Sequence, residues 1–230
     1  EEIRFVVDKP MTEWKYPASV GWKRWANILI PICSLADLVF SVGVEGIEGD
    51  VLGYSTGDVE RLYLKTGKIA KLRSILNVKD ENYVTVTMRT SFRNQWRNSD
   101  RPQWDKIIKW LEDRGETVVI VEECESQPMP VEHRMALYAN ARMNLAVGNG
   151  PMVLCWLSEA PYLTFQLPNR IGREKQYDEL VEQWARLGFP VGSQLSFRND
   201  KQEIIWGPDD FETVTEVYKR YFSEEVADLT

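Results

Sequence analysis

Between residues 83 and 165 the apolar positions switch repeatedly between a period of two and a period of three to four. Tyr83-Val84-Thr85-Val86-Thr87-Met88 alternates and is rich in β-branched residues, which predicts a strand. Trp104, Ile107, Ile108 and Leu111 then recur at helical spacing, with Pro102 near the predicted start and Gly115 at the stop. Thr117-Val118-Val119-Ile120-Val121 is almost continuously apolar, as suits a parallel strand buried on both faces. Gln127-Pro128-Met129-Pro130 interrupts the chain before a helix carrying Met135, Leu137, Tyr138 and Ala141. Asn144-Leu145-Ala146-Val147 reads as a strand that ends in Gly148-Asn149-Gly150, and Pro151 opens another helix where proline is tolerated. Tyr162-Leu163-Thr164-Phe165 is a further strand. Phe211, Val214, Val217, Tyr218 and Tyr221 mark one face of a closing helix over 209–222.

Strands and helices in alternation at short spacing predict right-handed βαβ units, hence a parallel sheet covered by helices on both faces. The expected fold is α/β, a Rossmann-like domain over residues 79–230 with the C-terminal helix packed back across it. The first 78 residues are less regular. They carry strand patterns at 3–7 and 38–42 and helix patterns at 22–35 and 59–76, enough for a reduced N-terminal α/β lobe.

Length and charge then narrow the picture. At 230 residues the chain can bury a real core, and at 43% hydrophobic it is not a disordered protein. Its 28 Lys+Arg against 35 Asp+Glu give a net charge of −7, which argues against nucleic acid as a partner, because phosphate backbones repel an acidic surface. The longest apolar run, 28–33, is broken by Pro31 and is far short of a membrane span. Cys33, Cys124 and Cys155 are widely spaced and form no CxxC pair, so they predict neither disulfide framework nor zinc site. Cys33 and Cys155 read as buried small hydrophobes. No signal-peptide pattern opens the sequence, and the expected compartment is the reducing cytoplasm.

Two stretches carry chemistry. The first is the turn Gly148-Asn149-Gly150-Pro151-Met152, between a strand and a helix start. Glycines at a strand's carboxyl end let backbone N–H groups approach a ligand, and the following helix presents its positive end to an anion. The second is the segment after the first strand of the domain, where Arg89, Arg93, Arg97 and Arg101 fall within thirteen residues. They are interleaved with Phe92 and Trp96, and the asparagines and Ser99 among them favour a loop over a helix. Guanidinium forks match phosphate oxygens, and an aromatic ring such as Trp96 can stack on a base or a sugar. Nothing in the sequence matches HExxH, DxD, a P-loop or GxSxG. The one histidine, His133, reads as a surface or capping residue.

From Ala136 to Phe165 the succession helix, strand, glycine turn, Pro-Met, strand resembles the nucleotide-sugar half of glycosyltransferases with the two-lobed GT-B fold. The nearest pattern is that of the heptosyltransferase-like family, in which a strand ends in Gly-Asn-Asp-Thr-Gly-Pro-Met-His. Gly148, Asn149, Gly150, Pro151 and Met152 match it with the Asp-Thr pair missing, and Val153 stands in place of the histidine. The likeness spans roughly residues 80–170. It implies metal-independent transfer of a sugar from a nucleotide-sugar donor to a glycan or other hydroxyl acceptor, with no cofactor. In related fucosyltransferases, arginines after a corresponding strand neutralise the leaving diphosphate, which implies that role for Arg89 and Arg93. The implied phosphate seat is the 148–152 turn, and Asp8, after the first strand pattern, is the candidate base.

The alternative is a catalytically degenerate relative that keeps the scaffold as a binding or assembly module. The missing Asp-Thr, Val153 and the short first lobe favour it. So do the nine tryptophans, of which Trp14, Trp22 and Trp25 fall close together and suit a small core or a homo-oligomer interface.

Overall fold

The computed structural model describes residues 4–7, 38–41, 82–91, 94–123, 129–168, 171–186 and 189–222. Strands β1 (Arg4–Val7) and β2 (Leu38–Ser41) pair in parallel in a sheet of their own. They fall where the sequence predicts strands; the helix patterns at 22–35 and 59–76, and Trp14, Trp22 and Trp25, lie outside the described residues.

The rest forms a five-stranded, all-parallel sheet. In chain order its elements are β3 (Tyr83–Arg89), α1 (Arg101–Asp113), β4 (Thr117–Glu123), α2 (Val131–Ala139) and β5 (Met143–Val147). There follow a single-turn α3 (Val153–Trp156), β6 (Tyr162–Phe165), α4 (Glu174–Arg186), β7 (Gln202–Ile205) and α5 (Phe211–Phe222). The α/β class and the parallel sheet therefore agree with the expectation. Strands run in the order β4-β3-β5-β6-β7. The chain moves outward from β3 to β4, then crosses back past β3 to β5 and continues the other way.

Alternation along β3 decides which helices cover which face. Val84, Val86 and Met88 meet Trp104, Ile107, Ile108 and Leu111 of α1 and Val214, Val217 and Tyr218 of α5 in one core. Tyr83 faces the other way, into a core with Leu137 and Tyr138 of α2, Cys155 of α3, Ala146 and Tyr162. On that second face β3 carries buried Thr85 and Thr87. Thr85 Oγ1 donates to Asn144 Oδ1 at 2.6 Å, and Thr87 Oγ1 and the Tyr138 hydroxyl lie 2.8 Å apart in a hydrogen bond, so both threonine hydroxyls are paired. Burial pushes the Tyr138 phenol up to about 12. Cys155 is buried as its apolar setting predicts, and its thiol is pushed far up by the same desolvation.

Local signals set the ends of α1. The Asp100 side chain accepts from the Gln103 N–H at the helix start, and Gly115 ends it with φ +85°, where only glycine is unstrained. At the amino edge of the sheet, Arg142 donates to Glu116 at 3.1 Å and stacks its guanidinium over Phe222 at 4.3 Å. Tyr218 also donates to Glu116, at 2.8 Å, so α5 is fastened to the sheet by polar contacts as well as by its apolar stripe.

Strand β7 and helix α4 have no counterpart in the sequence reading. β7 is anchored by Gln202, fully buried, whose Nε2 donates to the carbonyls of Ser158 at 2.7 Å and Ala160 at 2.9 Å. Replacing it by leucine orphans those carbonyls at a cost of about 1–3 kcal/mol for each group left unpaired. Gln202→Leu is therefore expected to melt several degrees below the parent. An unchanged midpoint in thermal denaturation would show that the carbonyls find water.

Candidate functional site

In an open parallel sheet, ligands lie outside the carboxyl ends of the strands, at the point where the strand order reverses. Here that point is between β3 and β5, which are adjacent and whose following loops leave toward opposite faces. The loop after β3 is the arginine-rich segment; the loop after β5 is the glycine turn. The two stretches that carry chemistry in the sequence thus meet at one edge.

The loop after β3 is closed on itself. Asn98 Oδ1 accepts from the Ser91 N–H and its Nδ2 donates to the Ser91 carbonyl, both at 2.9 Å. Ser99 hydroxyl accepts from the Arg89 N–H at 2.9 Å. A 3-10 turn, Gln95–Arg97, follows Asn94 in the left-handed region at φ 48°. The four arginines separate into different surroundings within this frame. Arg89 donates to Asn98 Oδ1 and to the Asn94 carbonyl, bracing the loop. Arg101 is exposed and bonded to Asp105 at 2.8 Å and Glu122 at 2.7 Å. Arg93, with Phe92, lies outside the described residues, as does Asp8.

Arg97 is the one turned inward. It is half-buried and its Nη2 donates to the Gly148 carbonyl at 3.3 Å, bridging the two loops. Among the described residues it has no carboxylate partner. Desolvation, with nearby Arg89 repelling it, holds its guanidinium below the usual arginine range. Since a guanidinium does not give up its proton in practice, Arg97 stands as a half-buried cation at this edge.

Arg97 lines a cavity of about 200 Å³ together with Trp96, Gly148, Gln166, Arg173 and Asp209. Its walls come from the ends of β5 and β6, the loop after β3, the approach to α4 and the loop before α5. Arg173 donates to the Trp96 carbonyl at 2.9 Å and ties that approach to the arginine loop. At Gly148 the ladder continues past the strands, its N–H on the Phe165 carbonyl at 2.9 Å, and the end of the Gln166 side chain packs over it. A Cβ on Gly148 would sit 2.2 Å from Gln166 Oε1, far inside contact distance. Gly150, by contrast, has open space around it.

Beyond Gly148 the backbone donors of the turn are engaged within it, while Asn149 Nδ2 is buried with no partner among the described residues. Asn149 Oδ1 accepts from the Met152 N–H at 3.1 Å, and the Val153 N–H reaches the Gly150 and Pro151 carbonyls. Met152 is fully buried in the second core. The predicted seat for phosphate on the Met152 and Val153 N–H groups therefore has its donors engaged, and the open positive charge lies instead on the other side of Gly148, at Arg97.

Asp209 supplies the acidic wall. It is 9% exposed; its Oδ2 accepts from Trp104 Nε1 at 2.7 Å and from the Asp100 N–H at 3.4 Å. Burial pushes its carboxyl above the usual range, and those two hydrogen bonds oppose the shift without cancelling it. Because the folded pKa exceeds the unfolded one, this group's contribution to stability is full below the unfolded pKa and is lost as pH climbs through the folded one. Asp209→Asn is expected to stabilise the protein at pH 7, with the gain shrinking to nothing on acidification. Denaturant titrations at pH 7 and pH 4 check this; an equal difference at both would remove the assignment.

The residues at this edge that the sequence reading missed are Gln166, Arg173 and Asp209. Gln166 follows a predicted strand directly, the one signal that could have found it; Asp209 follows β7, which the pattern does not show. Glu174 and Glu182, eight apart, are both exposed on α4. No three His, Cys, Asp or Glu side chains converge as a metal site among the described residues, and no helix among them is long and apolar enough to cross a membrane. Compared with protein-family models, curated proteins and solved structures, the chain matches none.

Proposed function

We propose that the chain is glycosyltransferase-like and that its five-stranded domain binds the diphosphate of a nucleotide-sugar donor at the β3/β5 edge. The observation that carries this reading is Arg97, a half-buried cation with no carboxylate partner among the described residues, set where the strand order reverses. A cavity of about 200 Å³ is smaller than the roughly 300–1,000 Å³ of whole-ligand pockets, so it suits the phosphate-bearing part of a ligand that extends outward. In transfer, negative charge develops on the departing diphosphate, and a preorganised guanidinium in a desolvated setting stabilises it. Arg97 takes that part, with Arg89 holding the loop that presents it. Trp96, half-buried on the cavity wall, is placed to contact a base or sugar.

The second reading, a module that binds such a ligand without transfer, is favoured by the engaged N–H groups of Met152 and Val153. Calorimetry of the full chain with UDP, GDP, ADP, CMP and their sugars tests the shared part. Binding by one of these, competed by inorganic pyrophosphate, is the expected result; no binding by any of them, or by pyrophosphate, sinks both readings. Release of the nucleoside diphosphate in the presence of hydroxyl acceptors then separates transfer from binding alone.

A further inference from the structure

Gln166 is 4% exposed, yet among the described residues its side-chain amide makes no hydrogen bond. A polar group placed so deep is normally paired, so its position calls for a reason. The ladder supplies none, because the backbone N–H of Gln166 is already on the Ile205 carbonyl at 2.8 Å. The two ends of the amide differ in their surroundings. Oε1 packs over Gly148 and is closed to any ligand. Nε2, a donor, is the end left accessible, and Gln166 lines the same cavity as Arg97. Contact with the glycine holds the amide in place, and Arg97 reaches that same glycine at its carbonyl. Two donor side chains, one charged and one neutral, thus meet at Gly148 in the lining of one cavity.

We infer that Gln166 is a ligand-binding residue whose Nε2 donates to the anion held by Arg97. The inference rests on the reading of Arg97 as an anion site and names the second contact of that site. Donors from two separate segments then take two oxygens of one phosphoryl group. The group that fits has two unesterified oxygens, as each phosphorus of a diphosphate ester does. Glutamine suits the place physically. It adds a donor without adding a further buried positive charge beside Arg97, which Arg89 already repels.

Inorganic pyrophosphate, titrated calorimetrically into the full chain at pH 8, is the probe. Gln166→Met is similar in volume and lacks the N–H groups. It is expected to bind pyrophosphate roughly 3- to 10-fold more weakly than the parent, the worth of one neutral hydrogen bond. Its melting temperature should hold or rise, because the amide has no hydrogen bond to lose among the described residues. A purely structural side chain would lower both. Gly148→Ala displaces the flexible end of the same side chain, should weaken binding by a similar factor, and serves if Gln166→Met folds poorly. If the variant that folds binds pyrophosphate as tightly as the parent, the amide does not reach the ligand, and the inference fails while the anion site stands. A loss of affinity in Gln166→Met that comes with a lower melting temperature overturns it too, since the amide then supports the fold instead. If pyrophosphate does not bind the parent, the anion site fails and takes the inference with it.

Discussion

Arg97→Met is expected to lose most of the affinity for a nucleoside diphosphate and to leave the unliganded protein no less stable. The two effects share a cause. A charge-assisted hydrogen bond to phosphate is worth about 1.5–3 kcal/mol, which is a loss of roughly 10- to 150-fold in affinity. In the free protein the same guanidinium is desolvated and repelled by Arg89, and its one hydrogen bond among the described residues, to Gly148, is long at 3.3 Å. Methionine keeps the stem's packing and removes the buried charge, so the melting temperature should hold or rise, by about 2–4 °C for each ~1 kcal/mol in a chain of this size. Arg101→Met is the matched control. That side chain is exposed and bonded to Asp105 and Glu122, and its loss should change affinity by less than twofold. Calorimetry and thermal denaturation on the same three proteins decide the matter. Equal affinity in Arg97→Met and the parent would end the assignment of this residue to the ligand.

Trp104 carries the other large expectation. It is fully buried on α1, edge-on to Phe165 with ring centroids 6.3 Å apart, and its Nε1 donates to Asp209 Oδ2. It therefore joins the core to the cavity wall. Trp104→Ala should cost about 3–5 kcal/mol, a large part of the ~5–15 kcal/mol that holds a typical domain together. Trp104→Phe is more informative. It keeps an aromatic ring in the core and removes the N–H, leaving Oδ2 only the Asp100 N–H at 3.4 Å. The expected loss is about 1–3 kcal/mol at pH 7, and it should shrink as pH falls. The Trp104 hydrogen bond favours the charged carboxylate, so its removal costs more while Asp209 is ionised than when it is protonated. A loss independent of pH would mean that ring packing, and not the carboxylate, accounts for the difference.

The parts of the fold that the sequence predicts are those with a strong local period. β3, β4, β5 and β6, with helices α1, α2 and α5, each concentrate apolar residues at strand or helix spacing, and each lies close to where the pattern puts it. α4 carries such a stripe too, with Tyr177, Leu180, Val181 and Trp184 at helical spacing and Leu180 buried, so its local pattern marks a helix that the prediction leaves out. β7 escapes because its four residues begin with Gln202 and Glu203, and the burial of Gln202 depends on carbonyls more than forty positions away. The helix opened by Pro151 is shorter than expected: a 3-10 turn and a single α-helical turn, ended before the bend that leads to β6.

The same division runs through the candidate site. Local sequence suffices to mark two loops as chemically able, one by its arginines and one by its glycines, because residue type and spacing are local properties. It does not tell which arginine turns inward: Arg89 and Arg97 have the same charge and similar neighbours. Their roles part only when Asn98 closes the loop on Ser91 and β5 comes to lie beside β3. Nor does it reveal that the Gln166 side chain packs over Gly148, since the two meet through the register of β5 on β6. Residue type and period along the chain determined the α/β class and the loops that carry charge. Strand order and register are set by pairing between distant segments, and they alone decided which loops face each other, which cation loses its water and which acceptor is left without a donor.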